Sequence, residues 1–234
     1  MKFKILHYIK KRFQKNKNTP NFEPKDGNVF IYIKRNGEKL INPNIENIKI
    51  NFNGKNNYIE INEGIVKKLL LIESRGDNNI CKIGQNPNIN DLKIYLENDS
   101  EVLIGNNFSV VQAVITHTRD NGCKVHIGDD CMFSYNLVLR TSDRHTIYDI
   151  HTKELLNKSE DIIIGNHVWI AAKALILKGI VIPNDCVIGA SAIVTRKFST
   201  PNCIIAGNPA KIVKQNINWN KSEALYWDTI KENL

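Results

Sequence analysis

Residues 164–199 read IGNHVW IAAKAL ILKGIV IPNDCV IGASAI VTRKFS. An aliphatic residue leads every block, at 164, 170, 176, 182, 188 and 194. A second small or apolar residue follows four places on, at Val168, Ala174, Ile180, Cys186 and Ala192. Leaders six apart with a fixed secondary position fit neither a heptad nor the alternation of an ordinary strand. They fit a three-sided parallel solenoid, in which each block supplies one short strand and one corner. Three blocks then close a coil of about 18 residues, and coils stack at roughly 4.8 Å. The leaders point into the prism, and the tight corners draw Gly, Asn and Asp, as at Gly165-Asn166, Asn184-Asp185 and Gly128-Asp129.

Working outward, the same register appears in blocks led by Ile127, Phe133 and Leu139, and again in blocks led by Ile104 and Val110. Further upstream, residues 48–61 and 90–105 alternate apolar residues with Asn, Asp and Gly, which puts the start of the solenoid between residues 42 and 50. Residues 28–39 read as a strand followed by a turn at Asn36-Gly37. The chain is therefore expected to divide into a basic N-terminal segment with short strand elements (1–41), a β-helical domain (42–206) and a C-terminal tail with a helix (207–234). The repeat lapses between Leu139 and Ile164, where a loop over 143–161 should leave the coil. Loops on rigid scaffolds are where chemistry usually sits. Near the C terminus, Asn220 with Glu223 has the form of a helix cap. Ala224, Trp227, Ile230 and Leu234 share one face of that helix, which is expected to close the open end of the solenoid. The fold class expected is all-β: a parallel β-helix with a protruding loop and a C-terminal capping helix.

Composition narrows the function classes. The 234 residues are 42% hydrophobic and 24% charged, as in a folded globular protein. No run approaches the roughly 20 apolar residues of a membrane-spanning helix. The net charge of +8 is concentrated at the start: Lys2, Lys4, Lys10, Lys11, Arg12, Lys15 and Lys17 precede any acidic residue, and without these seven the remainder carries +1. A nucleic-acid-binding body would carry its own basic face, so that class is set aside. The basic, amphipathic residues 1–17 suit either a solvated terminus or peripheral contact with an anionic membrane surface. Five widely spaced cysteines without a CxxC pair argue against a zinc ribbon or a disulfide framework and fit a reducing, cytoplasmic setting. Cys131 and Cys186 fall on the small inward position, where a thiol acts as a compact hydrophobe.

The six-block run, followed by AGNPAK at 206–211, resembles the hexapeptide-repeat (left-handed β-helix) acyltransferases over about residues 100–214. Within them it is most similar to bacterial O-acetyltransferases of capsule, polysialic acid and lipopolysaccharide sugars. Their Ser-Asp-x-His motif, loop and IG-x-x-VWI motif recur as SDRH (142–145) and IGNHVWI (164–170). One departure is Ala171, where the family usually places Gly. The resemblance implies a left-handed coil, a homotrimer with active sites between subunits, acetyl-CoA as donor, a glycan acceptor and no metal. It implies that His145 is the catalytic base, a task suited to a neutral imidazole at cellular pH. Trp169 follows the inward Val168, so its ring is expected to point outward, to wall the acceptor or acyl end or to pack between subunits. Asp143 either orients the imidazole or holds the loop. Small residues at Ala172 and Ala190, together with Thr195, Arg196, Lys211 and, more weakly, Lys214, match the positions that line the CoA.

Rival readings share the scaffold. An antibiotic- or other small-molecule acetyltransferase would use the same base. A metalloenzyme of the γ-carbonic anhydrase type would draw on His117, His126, His145 and His151. A catalytically inert solenoid would bind no CoA.

Overall fold

The computed structural model describes residues 25–116 and 122–232. The basic residues 1–17 and His117 lie outside the described residues. What is described is a β-solenoid of about six turns, the left-handed parallel β-helix that the repeat implies.

The first face of the prism takes one strand from every coil. In order of stacking these are β1 (Val29–Ile33), β4 (Tyr58–Asn62), β6 (Ile80–Ile83), β8 (Glu101–Ile104), β10 (Lys124–Ile127), β13 (Ile162–Ile164) and β16 (Ile180–Ile182). Each pairs in parallel with the next, so a backbone hydrogen-bond ladder runs from coil to coil along this face. The short β2 (Lys39–Ile41) pairs antiparallel with β1 at the outer edge. The sequence places the first coil after residue 42, but β1 already stacks on β4. The solenoid thus begins about a dozen residues earlier than its alternating pattern suggests. The reason is that 34 to 47 is occupied by the β2 hairpin and a turn, which breaks the pattern without ending the coil.

The second and third faces form one continuous sheet. Its upper half is built from β11 (Met132–Phe133), β14 (Trp169–Ile170) and β17 (Val187–Ile188) on the second face. On the third face lie β12 (Leu137–Arg140), β15 (Leu175–Ile176) and β18 (Ile193–Val194). Its lower half consists of β3 (Ile48–Phe52), β5 (Ile65–Ser74), β7 (Asn88–Leu96) and β9 (Ser109–Thr116), with β9 lying beneath both β11 and β12.

The interior is a single apolar column. Leaders Ile164, Ile170, Ile176, Ile182, Ile188 and Val194 are all buried, as are the secondary positions from Val168 to Ala192. All five cysteines are buried, and burial pushes the Cys81 and Cys186 thiols up to about 12 and Cys131 up to about 11. The corner before the second face carries an Asx ladder. Asn106, Asp129, Asn166 and Asn184 each accept, through the side-chain oxygen, the backbone N–H of residue 85, 106, 129 and 166 in the coil below, at 2.6–2.9 Å. This gives Asn and Asp at these corners a second role beyond turning the chain. The residue that follows each adopts positive φ: Asn107, Asp130, His167 and Asp185.

The C-terminal end departs from expectation in what covers it. The helix is present but short: a 3-10 turn at Ala224–Tyr226 runs into α1 (Trp227–Lys231), with no side-chain cap from Asn220. Asn220 instead accepts the backbone N–H of Ser222. Leu225, Tyr226 and Trp227 are exposed, so the helix does not close the prism. Closure falls to a hairpin, in which β19 (Cys203–Gly207) stacks on β17 and pairs antiparallel with β20 (Ala210–Gln215). A helix of five residues presents too little apolar face to cover a sheet end, whereas β19 continues the hydrogen-bond ladder.

Candidate active site

The loop that carries His145 leaves the coil at the corner between the third and first faces. Val125 pairs with Ile162, 37 residues on, whereas Ile162 pairs with Ile180, 18 residues on, so the excursion adds 19 residues to one coil. Its base is closed by the Glu160 N–H donating to the Thr141 carbonyl. Asn157 organises the segment around His145. Its Nδ2 donates to the carbonyl of His145 at 2.7 Å and to Asp143 Oδ2 at 3.1 Å, and its Oδ1 accepts from the Ile147 N–H at 2.8 Å. From the next coil up, Lys178 Nζ donates to Asp143 Oδ2 and to the Asn157 carbonyl. Lys178 holds the Asp143 carboxyl below the usual carboxylate range, with smaller help from Asn157 and Arg140.

The backbone of His145 is therefore held at its carbonyl by Asn157, while its side chain is exposed, without a hydrogen-bond partner among the described residues. Asp143 spends its contacts on Lys178 and Asn157. These contacts tie the loop to the coil above.

Trp169 lies on the second face. Its neighbours Val168 and Ile170 point into the core, so the indole points outward. Against it lies a residue that sequence reasoning missed. The chain after β20 runs back down the prism, and Trp219 stacks flat on His167 with ring centroids 4.2 Å apart and an 8° interplanar angle. Its Nε1–H donates to the His167 carbonyl, and its ring centroid is 6.0 Å from that of Trp169. His167 Nδ1 lies 2.9 Å from Asp185 Oδ1, and Lys221 Nζ donates to the Asn107 carbonyl further down. No periodic signal could have found Trp219, because it stands after the repeat ends.

The residues matched to CoA fall into two groups. Ala172 and Ala190 stack one above the other at the corner between the second and third faces, where the Ser191 N–H donates to the Ala172 carbonyl. Lys211, opposite Ala206 in the closing hairpin, stands near the top of that corner. Lys214 lies further along β20, opposite Ile204. Thr195 and Arg196 instead follow β18 at the corner from which the His145 loop departs, with the Arg196 guanidinium 5.3 Å from the Phe198 ring centroid. A single chain thus sets its candidate base on one corner, its tryptophan on a face, and its column of small residues on another corner.

Of the histidines of the metalloenzyme reading, which would join across subunits, His126, His145 and His151 lie among the described residues. His126 lies on the outer side of β10, with Nε2 2.7 Å from Glu101 Oε1, and His151 is exposed in the loop. Among the described residues no three His, Cys, Asp or Glu side chains converge within one chain.

No protein-family model matches the chain. It is 41% identical over 197 residues to the polysialic acid O-acetyltransferase of Neisseria meningitidis, a match covering 76% of this chain and 91% of that protein. The chain belongs to the polysialic acid O-acetyltransferase family. With the family's representative from Escherichia coli O1:K1 / APEC it shares 44% identity over 124 residues, which span 53% of this chain and 39% of that protein's length. Two solved members carry the same architecture. The polysialic-acid-specific acetyltransferase NeuO superposes with a TM-score of 0.69 at 30% identity, over 89% of this chain and 95% of its own. The polysialic acid O-acetyltransferase OatWY superposes with a TM-score of 0.54 at 30% identity, over 79% and 98%. Membership makes this chain a hexapeptide-repeat O-acetyltransferase.

Proposed function

We propose that the protein transfers acetyl from acetyl-CoA to a hydroxyl of a sialic-acid-containing capsule polysaccharide, with His145 as general base, at sites assembled between the subunits of a homotrimer. The observation that carries this is the loop itself. Its backbone is locked by Asn157 and Lys178, yet it holds out an imidazole with no partner among the described residues of its own chain. A base so held is pre-organised to accept a proton from a bound hydroxyl. The separation of His145 from the Ala172–Ala190 column supports an intersubunit site, since a second copy of the chain supplies the missing corner.

The column fits the donor. Small side chains at Ala172 and Ala190 let the extended pantetheine arm approach the backbone, and Lys211 above them offers a cation for phosphate. As the sugar oxygen bonds to the acetyl carbon, His145 takes its proton. The carbon–sulfur bond then breaks, and the thiolate leaves as CoA after taking up a proton. Asp143, Asn157 and Lys178 keep the imidazole in place, and Trp169, buttressed by Trp219, walls the acyl or acceptor end. Because the donor is made in the cytoplasm, the reaction belongs there.

His145→Ala should lower turnover of acetyl-CoA with polysialic acid by at least 100-fold, the usual scale for a general base. CoA affinity by calorimetry should be unchanged. Turnover near the wild-type rate in that variant would remove His145 from the mechanism.

A further inference from the structure

The third face carries a cavity of about 430 Å³ just below the His145 loop, lined by Arg75, Tyr95, Thr116, Val138, Arg140 and Arg144. Its walls come from successive coils. Tyr95, Thr116 and Arg140 stand in one outward row, each paired with the next, and Glu73 begins that row one coil lower. From Glu73 to Arg140 is three coil steps, about 14 Å along the prism at strand spacing.

The three guanidinium groups are held differently. Arg75 is fixed from two sides: Nε donates to Glu73 Oε1 at 2.8 Å, and its guanidinium carbon lies 4.4 Å from the Tyr95 ring centroid. Arg140 and Arg144 have no carboxylate within salt-bridge distance among the described residues, although Arg140 feels the Asp143 charge. Arg144 adopts φ +71°, the left-handed region that elsewhere in this solenoid is occupied mostly by Asn and Asp. A long cationic side chain is kept where a short polar one is easier to accommodate, and it sits one residue from His145, facing the cavity.

We propose that this cavity is an extended acceptor subsite. In it Arg75, Arg140 and Arg144 grip the carboxylates of a polyanionic glycan on sugars beyond the one being acetylated. The inference rests on the acetyltransferase reading above and adds to it the chemistry by which a polymer is preferred over a single sugar. A guanidinium fork matches a carboxylate in two parallel hydrogen bonds, and three forks stacked along the prism match a chain with one carboxylate per sugar. Arg140 and Arg144, without acidic partners in the described chain, supply the net attraction. Arg75, oriented by Tyr95 and Glu73, reads the far end of the track.

The test uses the full chain and the variants Arg75→Gln, Arg140→Gln and their double, leaving Arg144 in place because it adjoins His145. Two measurements are made: KM and kcat with sialic acid oligomers of increasing length, and equilibrium binding of fluorescently labelled polysialic acid to the His145→Ala protein with and without the same changes. The double variant should raise KM for the polymer at least 10-fold. It should leave KM for acetyl-CoA, KM for the shortest oligomers and kcat near wild type, flatten the length preference and weaken the salt dependence of polymer binding. Arg140→Lys should fall between, since it keeps the charge and loses the fork.

Unchanged polymer affinity overturns the subsite while leaving the acetyltransferase reading intact. So does a matching rise in KM for acetyl-CoA, which would assign the arginines to donor phosphates, and so does a change in oligomeric state by light scattering, which would make the face an interface. Arginine-dependent binding of polysialic acid without any acetyl transfer by the wild-type protein would sustain the subsite and sink the acetyltransferase reading.

Discussion

The lower and upper halves of the solenoid reach the same cross-section by different routes. In the lower half Tyr58 pairs with Ile80 and Ile80 with Glu101, steps of 22 and 21 residues. In the upper half Ile162 pairs with Ile180, Trp169 with Val187 and Ile176 with Val194, steps of 18. The lower coils run from the second face to the third as one continuous strand, with Ser109 beneath Met132 and Thr116 beneath Arg140. The upper coils break that strand with a turn, and Asn136 takes positive φ to make it. Long strands add backbone pairing and a broad flat face. Short strands with sharp corners give ordered columns of small residues such as Ala172 and Ala190. The base-carrying loop leaves the coil in the upper half, and the cationic cavity lies where the long strands meet it. The cavity thus straddles the junction, with Arg75, Tyr95 and Thr116 from the lower half and Val138, Arg140 and Arg144 from the upper.

The largest way to break this arrangement is to open the junction itself. Phe108 closes the lower half and Phe133 begins the upper, and their rings meet edge to face with centroids 5.0 Å apart, both fully buried. Phe133→Ala should cost about 3–5 kcal/mol by denaturant unfolding, from lost transfer energy and the cavity left behind. Since each coil contacts only its neighbours, the transition should also broaden or split as the halves uncouple. A single sharp transition with a loss under about 1 kcal/mol would mean that the halves are not joined through this pair.

A smaller effect should come from the loop. Asn157→Ala removes hydrogen bonds to the His145 carbonyl, Asp143 and the Ile147 N–H, partly exposed bonds worth about 1 kcal/mol each. Global stability should fall by no more than about 1–2 kcal/mol, because the loop lies outside the column. The rate should drop about 10-fold or more, because a base displaced by even about 1 Å loses its alignment. Steady-state kinetics beside an unfolding curve would show whether the two effects separate.

The same contrast explains how far the sequence could be read. In the upper half each corner consumes a fixed number of residues, so leaders recur every six, and the register is legible from Ile104 to Val194 apart from the lapse between Leu139 and Ile164. In the lower half the continuous strands restore alternation, and it slips once per coil. Ile89, Leu92, Ile94 and Leu96 are all buried, with Asp91 buried beside Leu92 and paired to Lys68. That slip hides the period, and the hairpin after β1 hides the true start. His145, Trp169, Ala172 and Ala190 could be nominated by motif because they sit on or beside the regular repeat. Trp219, Asn157, Lys178 and the arginine row escaped because their roles arise from contacts between coils or with the returning tail. No local pattern encodes those.

The smallest expected effect, and the one that best separates tether from catalyst, lies in the acid range. Asp143 has its carboxyl held below the ordinary value chiefly by Lys178. The tether therefore adds stability above the unfolded-state pKa near 4, and that contribution fades as pH falls through the lowered folded value. Its side chain is 40% exposed, so solvent screening keeps the contribution modest. A carbon-13 NMR titration of the Asp143 carboxyl should place its midpoint below that of an unpaired Asp, and Lys178→Met should return it toward the ordinary value. If Asp143 acted on the imidazole, Asp143→Asn would also move the midpoint of the kcat/KM pH profile. As a tether, Asp143→Asn should lower the height of that profile and leave its midpoint where it was.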